Sequence, residues 1–201
     1  GRAGRLGPGV AYRVWPAGEH AGRRAFTPPE IAGADLTGLA LELAVWGAGG
    51  DLDFLDPPPP TALGHAEELL TRLGAIDPSG RPTPTGRDMV ELPLHPRLAH
   101  LVVVDRTRLA CVLAALLEER DVVRGRPGDV EVGIDERVRL VTDRDRTHPR
   151  LDQDARRTVR RRADELARRV GDVGDAVDLD RIGPTLALAF PLVAAAIHQL
   201  Q

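Results

Sequence analysis

Apolar residues in the first half of the chain recur at the spacing of one helical face. From Asp35 to Trp46 the stripe is Leu36, Leu39, Ala40, Leu43 and Ala44, with Asp35 placed to cap the start and Gly47 to stop the helix. A second stripe, Leu63, Ala66, Leu69, Leu70 and Leu73, predicts a helix capped by Thr61 and closed by Gly74. The proline run from Pro57 to Pro60 between them reads as a stiff spacer rather than a ligand for a proline-reading domain. After Gly74, Ala75-Ile76-Asp77, the turn Pro78-Ser79-Gly80 and Arg81-Pro82-Thr83 predict a two-stranded wing. Helix, helix and hairpin in that order make a winged helix.

From Thr85 the pattern is mainly helical. Thr85 is placed to cap a short helix through Glu91, and Pro93 and Pro96 break it. Pro96 fits the first turn of a helix that buries Leu98, Leu101 and Val102. Thr107 caps another, running to about Arg120 with Leu109, Val112, Leu113 and Leu116 inward. Asp129 to Val141 shows Val130, Ile134, Val138 and Val141 at helical spacing, with a strand as rival because of the β-branched content. Asp143 to Arg150 is charged throughout and reads as a loop. The longest helix is predicted from Leu151 to Val170, about 30 Å. Its buried stripe is Leu151, Ala155, Val159, Ala163, Leu166 and Val170. Arg156, Arg157, Arg160, Arg161, Arg162, Arg168 and Arg169 crowd the remaining surface, where Asp152–Arg156, Asp164–Arg168 and Glu165–Arg169 have i,i+4 spacing. Arg160, Arg161 and Arg162 have fewer neutralising partners. With Arg157 they are candidate contacts to the phosphates of a single-stranded nucleic acid, set against a solvated helix face.

At the other end of the chain, Val10-Ala11-Tyr12-Arg13-Val14-Trp15 reads as a strand without neighbours, and residues 16–29 as a Gly/Pro-rich linker. Before it stands Gly1-Arg2-Ala3-Gly4-Arg5. Two arginines three apart in a glycine-lined segment suit a site where guanidinium forks meet phosphate oxygens.

Composition narrows the chemistry. The 201 residues carry a net charge of −3, so no global field draws nucleic acid to the chain. All 27 basic residues are arginine, which excludes a phosphate-loop lysine and fits genomic base composition better than phosphate recognition. The single cysteine, Cys111, sits in an apolar run; it excludes an internal disulfide and fits a reducing cytoplasm. Six histidines show no paired metal spacing. The most apolar stretch, Ile182 to Ile197, is interrupted by Pro184 and Pro191 and is short for a bilayer span. A winged helix raises the possibility of a major-groove reader. The helix from Thr61 to Gly74, however, exposes His65, Glu67, Glu68 and Arg72, and its carboxylates would face any phosphate.

The opening Gly-Arg-Ala-Gly-Arg resembles the end of helicase motif VI, the Gln-Arg-x-Gly-Arg-x-Gly-Arg signature of DEAH-box RNA helicases. Further blocks match that family in order and spacing, among them Pro28-Pro29-Glu30-Ile31, Phe54-Leu55-Asp56-Pro57-Pro58-Pro59, Leu73-Gly74-Ala75-Ile76-Asp77, Thr83-Pro84-Thr85-Gly86-Arg87-Asp88-Met89 and Leu92-Pro93-Leu94-His95-Pro96-Arg97-Leu98. Ala34-Asp35-Leu36, Trp46 and Leu116-Leu117-Glu118-Glu119-Arg120-Asp121 look most like the bacterial HrpB subfamily. The resemblance covers about residues 1–191. It implies a mainly α fold, with a winged helix followed by a helical-bundle ratchet domain, preceded by the last strand of an otherwise missing RecA-like α/β lobe. The corresponding division is 1–29 lobe end and linker, 30–85 winged helix, 86–191 ratchet-like domain and 192–201 divergent tail. The resemblance also implies an ATP-dependent RNA helicase in which Arg2 and Arg5 serve as arginine fingers, with Gly1 and Gly4 beside the nucleotide. ATP and Mg would belong to the intact enzyme. The chain alone, without the phosphate loop and the Asp-Glu-Ala-His box, is expected to bind neither and to be inactive. Its expected partners are single-stranded RNA, held without regard to sequence, and the RecA-like lobes. The rival reading is a non-catalytic winged-helix module that binds nucleic acid or protein.

Overall fold

The computed structural model describes residues 2–24, 26–47, 52–125, 132–171 and 173–191. Nine α-helices lie among them: α1 Ala17–Gly22, α2 Thr37–Trp46, α3 Pro60–Arg72, α4 Pro84–Val90, α5 Pro96–Asp105, α6 Arg108–Glu118, α7 Ile134–Thr142, α8 Gln153–Val170 and α9 Ile182–Ala189. The mainly helical class and the winged helix are both present.

The winged helix is built from α2, α3 and the turn that follows. The Asp35 carboxylate accepts from the Thr37 N–H at 2.8 Å, and Gly47 at φ +76° ends α2 in the left-handed region where glycine alone is unstrained. The start of α3 departs from expectation. Pro60 takes the first helical position, where its missing N–H costs nothing, so Thr61 lies inside the helix and does not cap it. The wing is a tight hairpin reduced to one antiparallel bridge between Ile76 and Pro82. The Asp77 carboxylate shapes it by accepting from the Ser79 and Arg81 N–H groups at 2.8 and 3.0 Å. Thr83, not Thr85, then caps α4: its Oγ1 accepts from the Gly86 N–H at 3.1 Å, and Pro84 fixes the first turn.

The helical body is organised around α6. Thr107 caps it as expected, accepting from the Ala110 N–H at 3.1 Å. Every residue from Leu109 to Leu116 is buried, so α6 has no solvent face along that stretch. α8 packs along it, α5 precedes it through Arg106 in the left-handed region at φ +49°, and α7 and α9 close further sides. Each fully buried leucine here contributes about 1.5–3 kcal/mol. α7 forms as a helix rather than a strand, with Val138, Leu140 and Val141 buried; the expected start at Asp129 lies outside the described residues. α8 starts later than expected. Leu151 bridges to Val123 instead of joining the helix, and Asp152 becomes the cap, accepting from the Asp154 and Ala155 N–H groups at 3.0 and 3.1 Å.

Val10 to Trp15 forms no strand; Val10, Tyr12 and Val14 are 75%, 89% and 93% exposed. No described strand lies alongside to complete a ladder, and a lone strand cannot satisfy its own N–H and C=O groups. Within the expected linker, residues 17–22 form the short helix α1. The divergent tail, 192–201, lies outside the described residues.

Candidate nucleic-acid interface

The arginines of α8 divide into two kinds by what their guanidinium groups touch. Arg156, expected on the surface, is only 4% exposed. It donates to the carbonyls of Asp143, Arg144 and Arg146 at 2.5, 2.9 and 3.3 Å, fastening the α7–α8 loop to the helix. Arg160 is half-buried one turn on, donating to the Val141 and Asp143 carbonyls at 2.5 and 3.1 Å. These are the orphan acceptors at the C-terminus of α7, so the side chain does the work of a helix cap. Burial, with Arg156 and Arg144 alongside, pushes the Arg160 pKa down, though a guanidinium stays charged. On the opposite flank Arg162 donates to the Pro93 carbonyl and pairs with Glu165 at 3.2 Å, while Arg169 reaches the Glu91 carbonyl at 3.2 Å. α8 is thus braced on one side to the α7–α8 loop and on the other to the α4–α5 turn.

The outward ridge of α8 runs through Asp154, Arg157, Arg161, Asp164 and Arg168, all exposed. Arg157 pairs with Asp154, and Asp164 with Arg108 of α6 at 2.5 Å. Arg161 and Arg168 have no carboxylate partner among the described residues. Of the four arginines singled out from sequence, then, Arg160 and Arg162 are engaged by carbonyls, Arg157 by a carboxylate, and Arg161 points outward. Arg168 joins Arg161 on that ridge; their seven-residue spacing, two helical turns, was the available signal. Of the three i,i+4 pairs expected, Glu165–Arg169 forms at 3.4 Å. Asp152 instead pairs with Arg120 and Arg124 at 2.7 and 3.1 Å, and Asp164 with Arg108.

The N-terminal candidates are less enclosed. Arg2 and Gly4 fall in a short helical turn and Arg5 is exposed; Gly1 lies outside the described residues. Arg5 is exposed, so its guanidinium is open to an anion such as a nucleotide phosphate. Among the described residues no group of three or more His, Cys, Asp or Glu side chains is placed to hold a metal ion. Two of the histidines serve the fold: His95 caps α5 and lies 3.3 Å from Asp35, and His100 donates to the Leu188 carbonyl at 2.9 Å. The exposed face of α3 carries His65, Glu67, Glu68 and Arg72, as the sequence implies. No helix among the described residues is long and apolar enough to cross a membrane.

Comparison with known proteins accords with this architecture. A family profile described as "Helicase associated domain (HA2), winged-helix" matches residues 66–94. The chain is 33% identical over 196 residues to the ATP-dependent RNA helicase HrpB of Escherichia coli strain K12, covering 94% of this chain and 22% of that protein. It is 36% identical over 114 residues to the pre-mRNA-splicing factor ATP-dependent RNA helicase prp22 of Schizosaccharomyces pombe, covering 55% of this chain and 10% of the relative. Two crystal structures of E. coli HrpB superpose with TM-scores of 0.71 and 0.69 at 32% identity, covering 95% and 94% of this chain and 22% of each HrpB chain. The chain spans about a fifth of HrpB and a tenth of prp22. In sequence and in fold the chain is similar to a part of the DEAH/RHA helicase HrpB, and residues 66–94 match the winged-helix, helicase-associated domain.

Proposed function

We propose that this chain is the winged-helix and ratchet portion of a cytoplasmic ATP-dependent RNA helicase, linking nucleotide hydrolysis in RecA-like lobes to movement along RNA. The observation that carries this reading is the match to HrpB along nearly the whole chain. In the intact enzyme Arg2 and Arg5 meet the nucleotide phosphates, and ATP with Mg supplies the hydrolytic chemistry. The chain's own part is to hold RNA. Arg161 and Arg168 touch backbone phosphates from the outward ridge of α8, a contact that ignores base sequence. Arg156, Arg160, Arg162 and Arg169 keep that helix in place. The rival, a winged helix reading a DNA groove, is disfavoured by Glu67 and Glu68 on the exposed face of α3.

The test is binding of labelled single-stranded RNA by this chain over a salt series, with Arg161→Glu and Arg168→Glu alongside. Each lost phosphate contact is expected to lower the logarithmic salt slope by about 0.7. Unchanged affinity and slope in the double variant would remove α8 from the RNA path. Separately, Arg5→Ala in the full-length protein is expected to depress ATP turnover without altering RNA affinity; full turnover would remove the arginine finger.

A further inference from the structure

The charge of this chain is not spread evenly. Residues 30–83 hold nine carboxylates and two arginines, a net of −7, whereas residues 84–201 are balanced at twenty of each. The winged helix is therefore an acidic module on an otherwise near-neutral protein. Glu67 and Glu68 are exposed on α3, and Asp77 stands in the wing. Hydrogen bonds from Ser79 and Arg81 hold the Asp77 carboxyl far below the usual carboxylate range, so it stays ionised.

These three carboxylates rim a groove between α2, α3 and the wing, about 650 Å³ in volume. Its floor is apolar, formed by Ala40, Leu43, Leu63 and Ile76. The size lies within the ~300–1,000 Å³ of clefts that hold ligands. Glu68 and Asp77 have arginine neighbours, Arg72 at 3.2 Å and Arg81 at 3.1 Å, but no cation faces Glu67 among the described residues. An apolar floor asks for aliphatic side chains, and the acidic rim asks for cations next to them. The same field repels phosphate, so the occupant is not nucleic acid.

We propose that this groove docks a basic polypeptide segment that inserts aliphatic side chains between flanking arginines or lysines, so that the winged helix recruits a cationic protein. This surface lies apart from the α8 ridge, and its failure would leave the RNA reading untouched.

The probe is a short, fluorescently labelled helical peptide of leucine and arginine, titrated against the whole chain. Two control peptides replace its leucines by alanine or its arginines by glutamate. Binding of the leucine–arginine peptide, and of neither control, is expected. Glu67→Arg should weaken it at least ~5-fold, and Leu63→Gln similarly, while Arg161→Glu leaves it unchanged. Equal binding of the alanine control would reduce the effect to general charge attraction and overturn the groove. So would binding that ignores Glu67→Arg and Leu63→Gln, or no binding at low salt. Sedimentation of the chain alone adds a check: self-association abolished by Glu67→Arg would assign the groove to a second copy and refute the proposal.

Discussion

Replacing Arg156 with alanine is the sharpest probe of how α8 is held. The side chain is 4% exposed and its guanidinium serves three main-chain carbonyls of the α7–α8 loop. Alanine keeps Cβ, so the substitution removes two buried methylenes at ~0.8 kcal/mol each, about 1.6 kcal/mol together. The hydrogen bonds add ~1 kcal/mol net, because residues 143–147 are exposed and their carbonyls can turn to water once released. Nε, buried without a partner among the described residues, offsets part of that. Arg156→Ala should therefore cost ~2 kcal/mol and Arg156→Met, which keeps an apolar stem, ~1 kcal/mol. Arg157→Ala, one residue away on the exposed ridge, should stay within ~0.5 kcal/mol. Urea unfolding followed by circular dichroism measures all three, with equal denaturant slopes required for the comparison. If Arg156→Ala and Arg157→Ala proved equally mild, the division of the α8 arginines into braces and an open ridge would fail.

Four further outcomes are expected. Gly86→Ala places a Cβ about 2.1 Å from the Ala75 carbonyl oxygen, so the wing must shift; a loss of at least ~1–3 kcal/mol should appear in the same urea assay. Asp105, which accepts from Arg181 at 2.6 Å, Thr107 at 2.6 Å and Thr185 at 3.2 Å, ties the α5–α6 turn to α9; Asp105→Ala should cost ~2–3 kcal/mol and lower the thermal midpoint. Burial pushes the Cys111 thiol up to about 11, so iodoacetamide should label it slowly at neutral pH and rapidly in urea; fast native labelling would contradict its place in the core. Stability should fall on acidification. Burial depresses the His100 pKa, so the unfolded chain takes up that proton first as pH drops through the ordinary histidine value of ~6.5. Arg137 beside Asp121, Arg146 beside Glu136 and Arg162 beside Glu165 lower those carboxyls, and their stabilisation is lost as pH falls from the ordinary carboxylate range through the depressed values. Constant stability between about pH 7 and 5 would refute the histidine assignment, and constancy from about pH 5 to 2 the carboxylate one.

What the sequence disclosed depended on range. Caps and stripes act within a turn or two, which is why Thr107, Gly47 and the buried face of α8 read correctly. The misplaced starts are local too: in Thr83-Pro84-Thr85 the proline marks the first turn, and the residue before it must be the cap. The same rule applied at Pro60 removes Thr61. The role of Arg156 was hidden for a different reason. Its acceptors are main-chain carbonyls of residues 143–146, which carry no side-chain signature, so a basic helix and a braced helix look alike in one dimension. Arg162 and Arg169 reach back to residues 91–93 with equal silence. The resemblance in motif VI drew attention to Arg2 and Arg5, of which Arg5 is exposed.

The wholly buried stretch of α6 has a consequence for how the chain is made. A ribosome delivers Leu109 to Leu116 well before α8, which begins at Gln153, and α9, which begins at Ile182. At ~5–20 residues per second the interval between the end of α6 and the start of α9 is roughly 3–13 s. Until α7 and α8 have emerged, a stretch that is apolar on every side has only α5 to cover it, and its last side stays open until α9 arrives. The nascent chain must shelter those leucines against provisional partners, so the body of the protein is assembled inward, with its centre synthesised early and enclosed last.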